Sequence, residues 1–260
     1  MLRALYSAAA GMQSQQMNLD VISNNLANVN TTGYKKSKLE FQDLLYQTTR
    51  AAGADQGGGN QVPGSLQIGQ GSVPVSTQRI FTAGDLTHTG QNLDVAIQGD
   101  GFFQVQMPDG TLAYTRDGAL KADKDGRIVT SDGYPIQGGF QPIPTGTTNI
   151  SISASGAVTY TTAGGQTNSQ IQIARFNNPG GLDALGHNLY KETPASGTAD
   201  LGNPGQNGFG QLQQGSLELS NVQVVEEMVN LILAQRAYEV NSKAVQAADE
   251  MMQQSNNMHR

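Results

Sequence analysis

The side chains best able to do chemistry are scattered along the chain. His88, His187 and His259 lie far apart, and none belongs to the His-x-x-x-His spacing with which a helix presents two imidazoles to zinc. Asp123-Lys124-Asp125-Gly126 opens like a Ca²⁺ loop, but its twelfth position is Tyr134 where a bidentate Glu is required, so it reads as a turn. Gly69-x-Gly71 and Gly99-x-Gly101 lack the third Gly and the following helix of a dinucleotide site. There is no Gly-x-Ser-x-Gly elbow and no cysteine, which removes thiolate catalysis, disulfides and Cys-ligated metals. A glycosidase would need a carboxylate pair across a cleft; Asp183 and Glu192 could be offered, but nothing singles them out. Asn30-Thr31-Thr32 and Asn149-Ile150-Ser151 fit a glycosylation pattern that recurs by chance. The expectation is no catalytic residue, no cofactor, no metal, and a protein that is not an enzyme.

The elements around these residues have a simple order. Asp109-Gly110, Asp117-Gly118, Asp125-Gly126 and Asp132-Gly133 recur every seven or eight residues, with runs such as Leu112-Ala113-Tyr114-Thr115 and Arg127-Ile128-Val129-Thr130 between them. Asp-Gly favours type I′ hairpin turns, because both central residues take φ > 0 there. Further strands are expected at Val73–Ser76, Asp94–Gln98, Phe102–Gln106, Ile150–Ser153, Ala157–Tyr160 and Ile171–Phe176. Short strands with frequent turns predict an antiparallel β domain over 72–210. Ala51–Gly71, with Gly57-Gly58-Gly59 inside it, reads as linker, and 211–220 returns the chain to its last helix.

Both ends read as helix. Leu2, Leu5, Met12, Leu19, Ile22 and Leu26 recur at helical spacings and predict a helix over about 3–28, roughly 39 Å long at 1.5 Å per residue. The turn residues from Asn28 to Gly33 end it. Arg3 and Asp20 are the only charged side chains before Tyr34, so this helix expects protein, or a polar channel, on several sides. At the other end Val224, Leu231, Tyr238, Val245 and Met252 recur every seven residues, with Met228, Ala234, Ala244, Ala248 and Met251 filling in. Ser220 and Gln223 are placed as a capping box, with Glu226 and Glu227 in the first turns. Heptad helices at opposite ends of a β-centred chain imply that the ends come together. The fold class expected is α+β, with the two terminal helices forming a coiled-coil-like inner layer and a central antiparallel β domain. The predicted segments are 1–30, 31–71, 72–210, 211–220 and 221–260.

Composition agrees. Charged residues make up 14% of 260, against roughly 25% in ordinary soluble domains, while Gly numbers 32. Such uncharged polar surface suits packing against copies of itself. A net charge of -6, without a basic stripe, argues against nucleic acid. No run of about 18 apolar residues suits a membrane-spanning helix, and no membrane insertion is expected. The segment Met1–Met12 has only two Leu and one basic residue, so it reads as helix rather than as a cleaved signal peptide.

Asn24-Asn25-Leu26-Ala27-Asn28-Val29-Asn30-Thr31-Thr32-Gly33-Tyr34-Lys35 resembles the N-terminal motif of flagellar rod and hook proteins, and Ser220-Asn221-Val222 through Val229 resembles the opening of their C-terminal helix. Asp43-Leu44-Leu45-Tyr46-Gln47, Leu66-Gln67-Ile68-Gly69 and Gln235–Ala244 are similar to the distal-rod branch of that family; Tyr114-Thr115-Arg116-Asp117-Gly118 is shared more widely. The resemblance implies a structural subunit whose copies stack helically into a straight hollow shaft that transmits torque and passes exported subunits. The motif residues would be Asn25, Leu26, Ala27, Asn28, Thr32, Gly33 and Tyr34; the rod-type segment would be Asp43, Leu44, Leu45, Tyr46, Leu66, Ile68 and Gly69. Implied partners are copies of the chain as a homo-oligomer, proximal-rod and hook subunits along the axis, a ring bushing in outer membrane and peptidoglycan, and a rod cap during assembly. The resemblance also implies a place in the basal body across the periplasm, type III export without cleavage, and a role for 46–71 in keeping the rod straight. Proximal-rod and hook proteins are the nearest alternatives; hooks usually carry another β domain, for which 72–210 leaves little room. A β-rich adhesin or pilus subunit would not explain heptad helices at both ends.

Overall fold

The computed structural model describes residues 2–53, 63–144, 147–162 and 165–258, without the side chains of Leu2, Thr148, Ser255 and Asn256. His259 and the Gly57–Gly59 run lie outside the described residues. The chain is mixed α+β and divides into two compact units, each of them discontinuous in sequence.

The first unit holds both helices. Helix α1 spans Leu2–Ala27; it is followed by β1 (Ser37–Asp43), β2 (Tyr46–Arg50), β3 (Leu66–Gly69) and β4 (Ser72–Arg79), the last reaching just into the second unit. Strand β1 pairs with β4, and β2 with β3 in an antiparallel ribbon whose register shifts between Thr48 and Arg50. The stretch read as linker thus contains paired strand at 66–69. Helix α2, Val224–Met258, completes the unit. It runs antiparallel to α1: a Cβ on Gly11 would stand 2.9 Å from the Asn241 amide nitrogen, and the Asn25 amide donates to Glu227 Oε2 at 3.3 Å. A second face of α1 packs on β4, where the Ser14 hydroxyl donates to the Ser72 carbonyl at 3.1 Å. A helix touched on two sides has little need of charge, which accounts for its Gln, Asn, Ser and Ala.

The predicted cap is displaced. Helix α2 begins at Val224, so Ser220 lies four residues ahead of it, and its hydroxyl takes the Val222 N–H at 3.3 Å in a local turn. Glu226 and Glu227 do occupy the first turn.

The second unit comprises Ala27–Lys36 and Arg79–Gln223. Strands β5 (Leu86–His88), β6 (Val95–Gln98), β7 (Phe103–Gln106), β8 (Leu112–Thr115), β9 (Lys121–Ala122) and β10 (Ile128–Val129) come first. They are followed by β11 (Thr147–Ile152), β12 (Ala157–Thr162), β13 (Gly165–Gln170), β14 (Ile173–Arg175), β15 (Asp183–Gly186), β16 (Leu189–Lys191), β17 (Asp200–Gly202), β18 (Gln211–Gln214) and β19 (Ser216–Glu218). The largest sheet has the order β15-β16-β8-β7; β11-β12-β13 form a three-stranded meander. The remaining pairs are β5·β19, β6·β18, β9·β10 and β14·β17, and every one is antiparallel. Inward positions converge on a core with Val95, Phe103, Val105, Val158, Tyr160, Ile171 and Ile173 at its centre, all without measurable exposure. Beside it Phe81, Phe102, Tyr114, Phe176 and Tyr190 meet edge to face, with ring centroids 4.8–6.2 Å apart.

The Asp-Gly expectation holds in part. Gly110, Gly126 and Gly133 take φ of 81°, 74° and 86° in turns, but the preceding Asp residues stay at negative φ, so these are not type I′ turns. Asp117-Gly118 is no hairpin: Gly118 is needed because a Cβ there would meet the Val95 carbonyl oxygen. Two left-handed centres occur instead at Asn207-Gly208 (φ 50° and 82°) and at His187-Asn188 (φ 53° and 58°), the latter between β15 and β16. Asn tolerates that conformation, and Gly186 just before it is also at positive φ (92°), but neither central residue of the His187-Asn188 turn is a Gly.

Candidate assembly surfaces and a buried clasp

The terminal-helix residues sort into inner and outer sets. On α1, Ile22 is buried, Leu5, Met12, Leu19 and Leu26 are half-buried, and the Leu2 side chain lies outside the described residues. On α2, Leu231, Val245 and Met252 are half-buried, whereas Val224 and Tyr238 are exposed. Of the positions expected to fill in, Ala234 and Ala248 are buried, but Met228, Ala244 and Met251 are exposed. The better-buried column is Glu227, Ala234, Asn241 and Ala248, also seven residues apart. Apolar periodicity reaches its two alanines but misses Glu227 and Asn241, whose polar side chains leave no hydrophobic signal. Its counterpart on α1 contains Gly11, Asn18 and Asn25, so the helices approach through small and polar groups.

What α2 shows to solvent is apolar. Val225 is 76% exposed, Val229 50%, Ile232 55%, Leu233 62% and Val240 65%. The ribbon adds Leu45 at 85%, with Tyr46, Leu66 and Ile68 exposed and Leu44 half-covered; Asp43 and Gly69 are exposed too. Among the described residues, nineteen of the twenty-two large apolar side chains left exposed belong to the first unit and three to the second. Scattered exposed leucines need no explanation, but a unit that concentrates them marks an interaction surface.

The motif residues do something different. Asn25 ties the first unit internally: its Oδ1 accepts the Ser37 N–H at 2.9 Å, and its Nδ2 donates to the Ser37 carbonyl at 2.8 Å as well as to Glu227. Ala27 is exposed; Leu26 and Asn28 are half-buried. Residues 27–36 then form a strap within the second unit. Gly33, at φ 68°, lies so close to Asp117 that a Cβ would stand 2.7 Å from its backbone nitrogen. The Thr32 hydroxyl donates to Asp117 Oδ1 at 2.9 Å, and Asn188 donates to the Thr32 carbonyl at 2.9 Å. Tyr34 is buried, with the Arg79 guanidinium 5.5 Å from its ring centroid.

Lys35 closes the strap on a fully buried ionic cluster. Its ammonium donates to Glu218 Oε1 at 2.5 Å and to the Thr82 carbonyl at 2.7 Å. Glu218 Oε1 also takes the Gly84 N–H at 2.9 Å, while Oε2 takes Arg116 Nε at 3.0 Å. Arg116 Nη2 donates to the Ile97 and Gly99 carbonyls at 3.3 and 2.6 Å. Burial lowers the Lys35 pKa, and the Arg116 charge adds to that effect against the pull of Glu218. Asn221 secures the other strand of the clasp: its Oδ1 accepts the Lys36 N–H at 2.7 Å, and its Nδ2 donates to the Ile80 carbonyl at 2.8 Å. The signature residues from Thr32 to Lys35 and Asn221 are therefore occupied inside the unit, and the partners Glu218 and Arg116 come from distant segments.

Several residues weighed for chemistry take part in turns and side-chain contacts. Asp123 and Asp125 pair with Arg127 on an exposed turn, and His187 forms the left-handed turn described above. Glu192 lies 3.5 Å from the Tyr114 hydroxyl.

Comparison with known proteins gives the surfaces a context. The profile described as "Flagella basal body rod protein" matches residues 5–35, "Flagellar hook protein FlgE/F/G D1 domain" matches 96–160, and "Flagellar basal body rod FlgEFG protein C-terminal" matches 213–258. The chain is 48% identical over 257 residues to the flagellar basal-body rod protein FlgG of Buchnera aphidicola subsp. Acyrthosiphon pisum, covering 97% of this chain and 98% of that one. The FlgG of Borreliella burgdorferi is 48% identical over the full length of both chains. That of Caulobacter vibrioides is 50% identical over 97% of each.

Proposed function

The chain belongs to the flagellar basal-body rod protein family, and from that premise we propose that it is the distal-rod subunit, polymerising into a straight hollow shaft that transmits torque and conducts exported subunits. It is a structural protein of the flagellum and not an enzyme. The observation that carries the polymer reading is the outward apolar row on α2, left exposed beside an inner column that already meets α1. Rows of that kind are stabilised when neighbouring copies cover them. In this reading α1 and α2 form the inner layer of the shaft. The exposed ribbon residues Leu45, Tyr46, Leu66 and Ile68 would stiffen the shaft against its neighbours. Proximal-rod and hook subunits would continue the stack axially, a ring bushing would surround it, a cap would guide its growth, and export would be by the type III route across the periplasm.

Electron microscopy of the assembled protein tests the proposal. Straight hollow tubes are the expected product. Curved tubes would reassign the chain to a hook-like role, and a chain that stays monomeric at every concentration would overturn polymerisation itself.

A further inference from the structure

The first unit carries a groove of about 520 Å³ between α1, from Ala10 to Met17, and strands β1 and β4. Leu39 is buried in it, Met17, Val73 and Val75 are exposed along it, and not one of its lining residues is charged. We propose that in the polymer this groove receives the outer row of α2 from a second copy, namely Val225, Val229, Ile232 and Leu233. The inference rests on the polymer reading above and deepens it by naming the two surfaces that meet.

Three arguments favour this occupant. A helical polymer grows through heterologous contacts, which need two unlike and complementary surfaces on each subunit. A groove meeting its own copy would enclose a void, so its partner must be raised, and the α2 row is raised. The dimensions also agree. Val225 to Leu233 spans about 12 Å of helix, and Ala10 to Met17 spans about 10.5 Å, both at 1.5 Å per residue. The chemistry agrees as well: a groove without charges strands any carboxylate or ammonium placed in it, and these four side chains carry none. The same chain's own row is turned away. Successive residues advance 100° around a helix, so Val225 and Val229 lie nearly half a turn from Glu227, which faces α1.

The absence of cysteine makes the contact directly testable. Val75→Cys and Leu233→Cys are placed in the full-length chain singly and together, assembled into tubes, and oxidised. The double variant is expected to give a ladder of covalent multimers, and a mixture of the two single variants should stop at the dimer. Each single variant alone should stay monomeric on a non-reducing gel. Val73→Cys with Val229→Cys serves as a second pair should the first impair assembly. Tubes that form but yield no mixed dimer from either pair would overturn the groove assignment while leaving the polymer reading intact. An intramolecular cross-link in the dilute monomer would overturn it too, because the groove would then be filled by its own helix. A wild-type chain that forms no tubes would overturn both readings.

Discussion

The second unit buries Phe103, Val105, Tyr160 and Ile173 without residual exposure, whereas among the described residues the first buries only Ile22 and Leu39 of its large aliphatic and aromatic side chains. The contrast extends to charge. The second unit encloses Lys35, Arg116 and Glu218 with every oxygen and cation hydrogen-bonded, and such a cluster persists only inside a finished structure. The first unit joins its helices through Ala, Gly, amides and the single buried carboxylate of Glu227 among its described residues, and leaves Val225, Ile232 and Leu233 in water. One unit is complete as a single chain; in the proposed polymer the other would become complete when copies cover it. Burying a side chain such as Leu233 fully contributes about 1.5–3 kcal/mol.

The largest effect is expected from a charge on the outer row. Ile232→Asp alters a residue that is 55% exposed in the single chain, so unfolding of the monomer should shift by no more than about 0.5 kcal/mol. Assembly should be lost, since each contact in the tube would bury an unpaired carboxylate. Tubes of normal yield, seen by sedimentation and electron microscopy, would mean that this row is not an interface.

The opposite experiment strikes the clasp. Glu218→Gln leaves two buried cations without their shared carboxylate and should destabilise the second unit by about 3–5 kcal/mol, read from the denaturant midpoint. A midpoint unchanged from wild type would remove the clasp from the account of this unit's stability. Gly33→Ala should cost less, roughly 1–3 kcal/mol, because it forces a side chain into the left-handed region and against Asp117. If Gly33→Ala matched wild type, the strap would have room that its backbone contacts deny.

Legibility in the sequence follows the same division. Strands such as Phe103–Gln106 and Leu112–Thr115 were readable because alternation and turn residues are local signals. The apolar heptad on α2 is readable too: it reaches the buried Ala234 and Ala248 and the half-buried Leu231, Val245 and Met252, but it also picks the exposed Val224 and Tyr238 and passes over Glu227 and Asn241. Close helix approach selects small and amide residues, and these leave no hydrophobic period. Glu218 was not legible at all: its partners lie 183 and 102 residues away, and a lone carboxylate among strands looks like any other. The motif from Asn24 to Lys35 was legible as a signature, yet only the fold places Gly33, Tyr34 and Lys35 inside a unit and not on an assembly surface.

The smallest effect is expected at Asp117, which the strap contacts through Thr32. Burial raises the Asp117 pKa above the ordinary carboxylate range, and the negative charges of Asp94 and Asp132 add to it. A raised folded-state pKa means that the folded chain holds this proton more tightly than the unfolded chain. The stability it contributes is present below the unfolded carboxylate pKa and is lost as pH rises through the folded value. Asp117→Asn keeps an oxygen to accept from the Thr32 hydroxyl and the Ala119 N–H, but it carries no charge at any pH. The variant should therefore be the more stable protein near neutral pH, and the two unfolding curves should draw together as pH falls through the carboxylate range. A gap of the opposite sign at neutral pH would show that Thr32 and Ala119 bind the carboxylate more strongly than burial opposes it. Assembly should not respond, since the strap belongs to the complete unit.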